Sequence, residues 1–84
     1  MPSKPAMRFS VGGGINASIW ENQSKRGGTW YNVTITRTYR DGDEYKDTTS
    51  FRRDDLLFVA KAADMAFGWC LKKQLQADSA DNQE

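Results

Sequence analysis

The sequence TWYNVTITRTYR, residues 29–40, decides the fold class, because β-branched and aromatic residues dominate it as they do in β-strands. Its side chains alternate, with Tyr31 and Val33 on one face and mostly threonines on the other. Asp41-Gly42 follows, and this dipeptide is typical of a tight hairpin turn. The chain is therefore predicted to form a long strand and to return beside it as another.

Two shorter strands are predicted upstream. Phe9 and Val11 alternate with polar residues until three glycines, at 12–14, allow a sharp bend. Residues 15–20 alternate again, and residues 22–28 (NQSKRGG) have the composition of a loop. With the hairpin that follows, these segments predict a four-stranded antiparallel sheet.

A helix is predicted after the sheet. Apolar residues recur at helical spacing after Phe51, and Asp54 or Asp55 can cap the first turn. The helix is predicted to run to about Gln74. The predicted fold class is therefore α+β, with the order β-β-β-β-α and one long C-terminal helix.

The chain has the length of one domain. Its ordered part is predicted over residues 7–76, between a disordered N-terminal tail (1–6) and a disordered acidic tail (77–84) that lacks large apolar side chains. A domain of this size buries only roughly 60 % of its unfolded surface. Association with a partner would therefore stabilise it considerably.

The predicted helix has more apolar surface than one sheet needs, since its apolar side chains span an arc of about 240°. The row predicted to cover the sheet contains Leu56, Val59, Ala60, Ala63, Phe67, Cys70 and Leu71. The second row, predicted to form a homodimer interface, contains Phe58, Ala62, Met65 and Trp69. Leaving large apolar side chains in water would forgo about 1.5–3 kcal/mol each. A helix-packed homodimer is therefore predicted, and a monomer whose curved sheet wraps the helix is the alternative.

The charge of the chain is unevenly distributed. The net charge of +1 divides into +4 over residues 1–53 and −3 over residues 54–84. The small net charge argues against strong polyelectrolyte binding, but the sheet half is mildly basic and the tail is acidic. No secretory segment is recognisable, and no uncharged apolar run approaches about eighteen residues. A cytoplasmic location without a membrane segment is predicted.

Catalytic chemistry has little support in the sequence. The chain has no histidine, and its one cysteine, Cys70, lies on the apolar side of the predicted helix without a base nearby. Asp41-Gly42-Asp43-Glu44 resembles part of a calcium loop, but a hairpin turn explains it. A non-enzymatic protein is predicted, with no catalytic residue, no metal and no cofactor.

The sheet face opposite the helix has an unusual composition. It is predicted to carry Asn16, Ser18, Trp20, Trp30, Asn32, Thr34, Thr36, Thr38, Arg40, Lys46, Thr48, Ser50 and Arg52. Lys25 and Arg26 project from the neighbouring loop. Bases of single strands stack on aromatic rings, while basic and hydroxyl groups hold phosphates. The residues alone leave two interpretations open: a nucleic-acid surface, or a solvated threonine-rich face whose tryptophans close the sheet edges.

Several features follow one another along residues 8–74. They are the opening Phe9-Ser10-Val11-Gly12, the alternating strand from Ile15 to Glu21, the loop Lys25-Arg26-Gly27, the strand end Arg37-Thr38-Tyr39-Arg40, the turn Asp41-Gly42, the strand from Lys46 to Phe51, and the long helix. In order and pattern they resemble the single-stranded-DNA-binding positive coactivators of transcription and, more distantly, the Whirly proteins, which share that fold.

The resemblance implies a homodimer packed through its helices, with the β-strands forming a groove for extended single strands. By position it implies DNA contacts from Lys25, Arg26, Tyr39, Arg40 and Lys46. With the residues of the exposed face, the predicted nucleic-acid-binding set is Trp20, Lys25, Arg26, Trp30, Tyr39, Arg40, Lys46 and Arg52. The predicted partners are a second copy and single-stranded DNA or RNA, with little sequence specificity and no membrane or small-molecule substrate. The alternative is a protein-interaction or scaffolding module that uses the same sheet face.

Overall fold

The computed structural model describes residues 4–82, with side chains described for residues 4–76. The strands are β1 (Met7–Gly12), β2 (Ile15–Gln23), β3 (Thr29–Asp41) and β4 (Glu44–Thr48), and after a short 3-10 turn (Arg53–Asp55) comes the helix α1 (Leu56–Asn82). The strands form one antiparallel sheet in the order β1-β2-β3-β4. The predicted α+β class, with four antiparallel strands followed by one C-terminal helix, is confirmed.

The core lies between α1 and one face of the sheet. Ile15, Ala17 and Ile19 of β2 are fully buried against Ala62 and Ala66 of α1. Because side chains alternate along a strand, these odd-numbered positions of β2 define the helix side of the sheet. We call the opposite side the open face.

The helix covers the sheet with Ala62 and Trp69 of the row that was predicted to form the dimer interface, so the assignment of these two residues is wrong. Ala62 is fully buried, and the Trp69 ring meets the Tyr31 ring edge to face at a centroid distance of 5.4 Å. Phe58 lies over the glycine turn between β1 and β2, where a β-carbon on Gly12 would be 3.1 Å from its ring. Ala62 is enclosed within one chain and cannot meet a second copy.

The row predicted to cover the sheet is mostly exposed instead. Val59 and Cys70 do pack against the core, as predicted. The exposed members are Leu56, Ala60, Ala63, Phe67 and Leu71, and Leu57 and Leu75 extend the same surface. The physical reason is size, because the small side chains of Ala62 and Ala66 let the helix backbone approach the sheet. The larger side chains are accommodated on the other side.

The structure describes part of each segment that was predicted to be a tail. The helix continues beyond Gln74 to Asn82. No glycine or proline follows Gln74, and each further helical residue adds a backbone hydrogen bond. At the other end, Ala6 N–H donates to Ile19 O at 2.7 Å. The remaining tail residues, 1–3 and 83–84, lie outside the described residues. Within residues 4–82, no helix is long and apolar enough to cross a membrane.

Candidate nucleic-acid interface

The two tryptophans of the open face lie side by side across β2 and β3. Trp20 is paired with Asn32, and Trp30 is paired with Asn22. The two rings therefore occupy diagonal positions, at which β-carbons of an antiparallel pair lie about 7–8 Å apart. The predicted placement of both tryptophans on the face away from the helix is borne out by this register.

The two rings differ in how firmly they are held. Trp20 is half-buried, and its indole Nε1–H donates to Thr34 Oγ1 at 3.1 Å, so the ring extends from β2 over β3. Trp30 is 47 % exposed. Trp20 therefore offers a fixed aromatic surface, and Trp30 adds an accessible one next to it.

A chain of polar contacts crosses the four strands further along the same face. Ser10 Oγ donates to Asn16 Oδ1 at 2.7 Å, Asn16 Nδ2 donates to Thr38 Oγ1 at 3.1 Å, and Thr38 Oγ1 donates to Asp47 Oδ1 at 2.6 Å. Asn16 is buried within this chain, although it lies on the open face. Asp47, the one carboxylate among the described strand positions of this face, is thereby engaged in a hydrogen bond.

The hairpin between β3 and β4 has a turn one residue later than predicted. Asp41 pairs with Glu44, so that Gly42 and Asp43 are the central residues. Gly42 alone of the two has a positive φ, 65°, and glycine adopts that conformation without the steric cost of a β-carbon. A turn that requires positive φ only at its first central residue replaces the predicted one, which requires it at both.

The faces assigned to β4 were inverted. In a two-residue hairpin an odd position of one strand pairs with an even position of the other, and here Tyr39 pairs with Lys46, and Arg40 with Tyr45. Tyr39 and Lys46 therefore lie on the helix side of the sheet. Thr48, paired with Arg37, lies there too.

Lys46 and Tyr39 are also engaged with other groups on the helix side. Lys46 Nζ lies 2.9 Å from Asp41 Oδ2, and the Arg37 guanidinium lies 5.4 Å from the centre of the Tyr39 ring. Their predicted place on a common binding surface with Trp20 is wrong, because successive side chains of a strand point to opposite faces.

Arg52 anchors the start of the helix and does not belong to a strand. Its Nε and Nη2 lie 3.2 and 3.3 Å from the carboxylate oxygens of Asp55, and its backbone N–H donates to Asp55 Oδ2 at 2.9 Å. Arg37 Nε lies 3.4 Å from the same Oδ2 atom. Asp55 is buried, and it ties the 3-10 turn to β3. The predicted position of Arg52 on the open face is therefore wrong.

The pKa of Asp55 lies below its ordinary value of 3.8. The main cause is the hydrogen bond from the Arg52 side chain, followed by the Arg52 backbone N–H, with smaller effects of the Arg52 and Arg37 charges; burial opposes them. Because the folded state lowers this pKa, the charge of Asp55 contributes stability above the unfolded pKa. That contribution is lost as the pH falls through the lowered value.

Replacing Asp55 with asparagine should lower the urea midpoint of unfolding at pH 7, because the amide keeps the shape but leaves Arg37 and Arg52 unpaired. The difference in midpoint from the wild type should narrow as the pH falls through the lowered pKa of Asp55, because the native carboxyl then also loses its charge. The matched control is Asp54→Asn, whose exposed pair with Arg53 should matter by about 0–1 kcal/mol at most. If the difference in urea midpoint between the variant and the wild type did not change with pH, this role of the Asp55 charge would be contradicted.

Lys25 and Arg26 lie in a compact five-residue loop between β2 and β3. Ser24 N–H donates to Gly28 O at 2.8 Å, and Gly28 N–H donates to Ser24 Oγ at 3.0 Å. Both basic side chains are exposed, and neither forms a salt bridge with a residue whose side chain the structure describes. They stand at the end of the sheet where Trp30 lies, as the sequence predicts.

Two residues of the open face were missing from the predicted set. Arg8 of β1 pairs with Ser18, and Tyr45 of β4 pairs with Arg40, so both belong to this face. The signal for Tyr45 was present in the sequence. A two-residue turn pairs an odd-numbered residue of one strand with an even-numbered residue of the next. The odd-numbered residues of β4 therefore lie on the face opposite to the odd-numbered residues of β3. The open face and its loop thus combine Trp20, Trp30, Tyr45, Arg8, Lys25, Arg26 and Arg40 with the single carboxylate of Asp47.

The described part of the chain also bears on other kinds of site. Within it, no group of three or more Cys, Asp or Glu side chains is arranged to hold a metal ion. Cys70 lies partly buried against the core, and burial raises the pKa of its thiol. A raised pKa reduces the reactive thiolate at neutral pH. A structural role for Cys70 stays the prediction.

Comparison with known proteins gives no relative: no protein family matches the chain, and no curated protein or solved structure is similar to it.

Proposed function

We propose that the open face binds single-stranded nucleic acid with little sequence preference. The observation that carries the proposal is the diagonal pair Trp20 and Trp30 on a sheet face that no element of the described chain covers, beside the unpaired cations Lys25 and Arg26. Stacking on aromatic rings accepts every base, and cations follow the backbone. Arg8 and Arg40 supply further positive charge on the same face.

Stacking on the two rings favours single strands over duplexes. Both rings lie on the two-stranded end of the sheet, where β2 and β3 pair beyond the last partners of β1 and β4. A base must leave its stack before it can lie on a ring in such a surface.

We also propose that the protein is a homodimer, built with the exposed row of α1 and not with the row first predicted. This exposed row consists of Leu56, Ala60, Phe67, Leu71 and Leu75. Phe67 is 66 % exposed and Leu75 is 55 % exposed. Exposure of a contiguous apolar surface to water is unfavourable and is typical of an interface.

We propose an antiparallel orientation of the second copy. A two-fold axis between residues 65 and 66 would place Leu71 of one chain opposite Ala60 of the other, so that a large side chain meets a small one, and would place Phe67 at the level of Asp64. Leu56 then faces Leu75, and two apolar ends are covered. The interface lies on the side of the helix away from the sheet, so that the open faces of both copies stay accessible.

Replacing Trp20 or Trp30 with alanine should weaken binding of an oligothymidine about tenfold or more at fixed salt, because stacking contributes about 1–3 kcal/mol per base. Binding is measured by quenching of tryptophan fluorescence in the wild type and by anisotropy of a labelled oligonucleotide in the variants. Trp69 is packed on Tyr31 and gives a background that should not respond. A duplex of equal length should bind and quench less.

Salt dependence separates this function from docking of another protein on the same face. Replacing Lys25 and Arg26 together should lower the slope of log affinity against log salt by about 1.4, at roughly 0.7 per phosphate contact with a single strand. The matched control is Lys46→Ala, which removes a cation of the helix side and should leave the slope unchanged. Absence of oligonucleotide binding at low salt would overturn the proposal and favour the protein-interaction module.

A further inference from the structure

The far end of the open face carries a second pair of an aromatic and a basic side chain. Tyr45 is 73 % exposed and lies opposite Arg40 in the register of β3 and β4. Arg40 Nε donates to Gly42 O at 2.9 Å, which holds the side chain at the hairpin. An exposed ring beside a cation is the arrangement already described at the other end of the face.

The two aromatic ends are joined by a path without large side chains. Trp30 and Arg40 are ten residues apart on β3, a distance of about 33 Å at 3.3–3.4 Å per residue. The open-face positions between them on β3 are Asn32, Thr34, Thr36 and Thr38. Asn32, Thr34 and Thr36 can meet phosphates or sugars through their amide and hydroxyl groups. The Thr38 hydroxyl cannot donate to a phosphate, because it donates to Asp47. None of the four side chains is large enough to block an extended chain.

We propose that one extended nucleic-acid strand runs along β3 from the tryptophan pair to the hairpin, where a base stacks on Tyr45 and Arg40 holds the adjacent phosphate. The proposal rests on the function proposed above and gives the site its length and direction. It makes Tyr45 a binding residue of the open face, in place of Tyr39.

The carboxylates near the hairpin are arranged in a way that limits repulsion on this path. Asp41 and Glu44 are opposite each other in the register of β3 and β4, on the helix side of the sheet. The Asp41 carboxylate forms a salt bridge with Lys46. Asp47 accepts the hydroxyl hydrogen bond of Thr38. Asp43, at the apex of the turn, is exposed. Charge therefore favours a polyanion on the Arg40 side of the hairpin more than on the Lys46 side.

The test compares a short with a long oligothymidine, of about 4 and about 12 nucleotides, within the range of site sizes of single-strand-binding domains. Quenching of tryptophan fluorescence reports on the Trp20–Trp30 end for both. Tyr45→Ala should weaken binding of the long oligonucleotide about tenfold. The same variant should leave the short one unchanged, because the short one cannot reach from the tryptophans to the hairpin.

The matched control is Tyr39→Ala, in the same hairpin but on the helix side, which should affect neither oligonucleotide. The extended path would be overturned if the Tyr45 and Tyr39 variants bound the long oligonucleotide with equal affinity. If Trp20→Ala still weakened binding of that oligonucleotide, the proposed function would remain intact. Failure of both oligonucleotides to bind the wild type would overturn both. Circular dichroism checks that each variant is folded.

Discussion

Replacing Gly14 with alanine should lower the free energy of unfolding by about 2–5 kcal/mol, a large part of the stability of a small domain. A β-carbon at Gly14 would lie 2.4 Å from the Thr38 carbonyl oxygen, and this contact is with backbone that cannot rotate away. Thr38 N–H also donates to Gly14 O at 2.8 Å, so the two segments are held together. The φ angle of 77° adds the cost of a left-handed conformation, about 1–2 kcal/mol. Urea unfolding measures the loss.

Two other glycines separate the steric cost from the conformational one. Gly27 has a φ of 88° but nothing within 4 Å of its β-carbon position, so Gly27→Ala should cost only about 1–2 kcal/mol. Gly68 lies in α1 with open space around it, so Gly68→Ala should stabilise by about 0.5–1 kcal/mol. A loss at Gly14 no larger than that at Gly27 would show that the approach to Thr38 is not what requires glycine.

The alternation of side chains was sufficient to predict the faces of the sheet up to the end of β3, although residues 22 and 23, predicted as part of the loop, belong to β2. Ile15, Ala17 and Ile19 are buried and the tryptophans lie on the other face, because a one-residue error in register would have moved every apolar side chain into water. The hairpin was harder, since both Asp41-Gly42 and Gly42-Asp43 are plausible turn centres. Either centre pairs odd-numbered with even-numbered residues, so the faces of β4 were misassigned because this change of parity across the turn was overlooked. The misassigned faces of β4 removed Tyr45 from the candidate site and admitted Lys46.

The orientation of the helix could not be derived from its periodicity. Both sides of α1 are apolar, so the periodicity shows two rows but not which one meets the sheet. Contacts with particular partners decide this: Phe58 fits the glycine turn, and Trp69 packs on Tyr31. Such contacts are between residues about forty positions apart in sequence, and side-chain size was the only local signal for them.

The two surfaces of the protein can act together. The exposed row of α1 lies on the side of the helix away from the sheet, and the open face lies on the other side of the sheet. A dimer formed through the exposed row would therefore carry its two open faces on opposite outer surfaces. One strand could reach both faces only by passing round the dimer, so tighter binding than by a monomer is expected only for oligonucleotides long enough to do so.

Replacing Phe67 with glutamate should raise the dissociation constant of the proposed dimer at least a hundredfold. Each interface loses two phenylalanine side chains, at about 1.5–3 kcal/mol for each one buried, and 1.4 kcal/mol corresponds to one decade. Burial of the added charges would weaken the dimer further. Because Phe67 is exposed in the single chain, the variant should remain folded. Light scattering after size-exclusion chromatography, over a range of concentrations, measures the change.

The matched control is Lys72→Glu, which places the same negative side chain on the polar strip of α1. That strip, Lys61, Asp64, Gly68 and Lys72, lies beside the exposed row, and Lys61 Nζ is 3.9 Å from Asp64 Oδ2 within it. Lys72→Glu should leave the dimer intact, and Leu71→Glu should act like Phe67→Glu, because it faces Ala60 of the second copy. A wild type that is monomeric at high micromolar concentration would show that a second copy does not cover the exposed row. Equal weakening by Lys72→Glu would show that net charge, and not apolar contact along this row, governs the association.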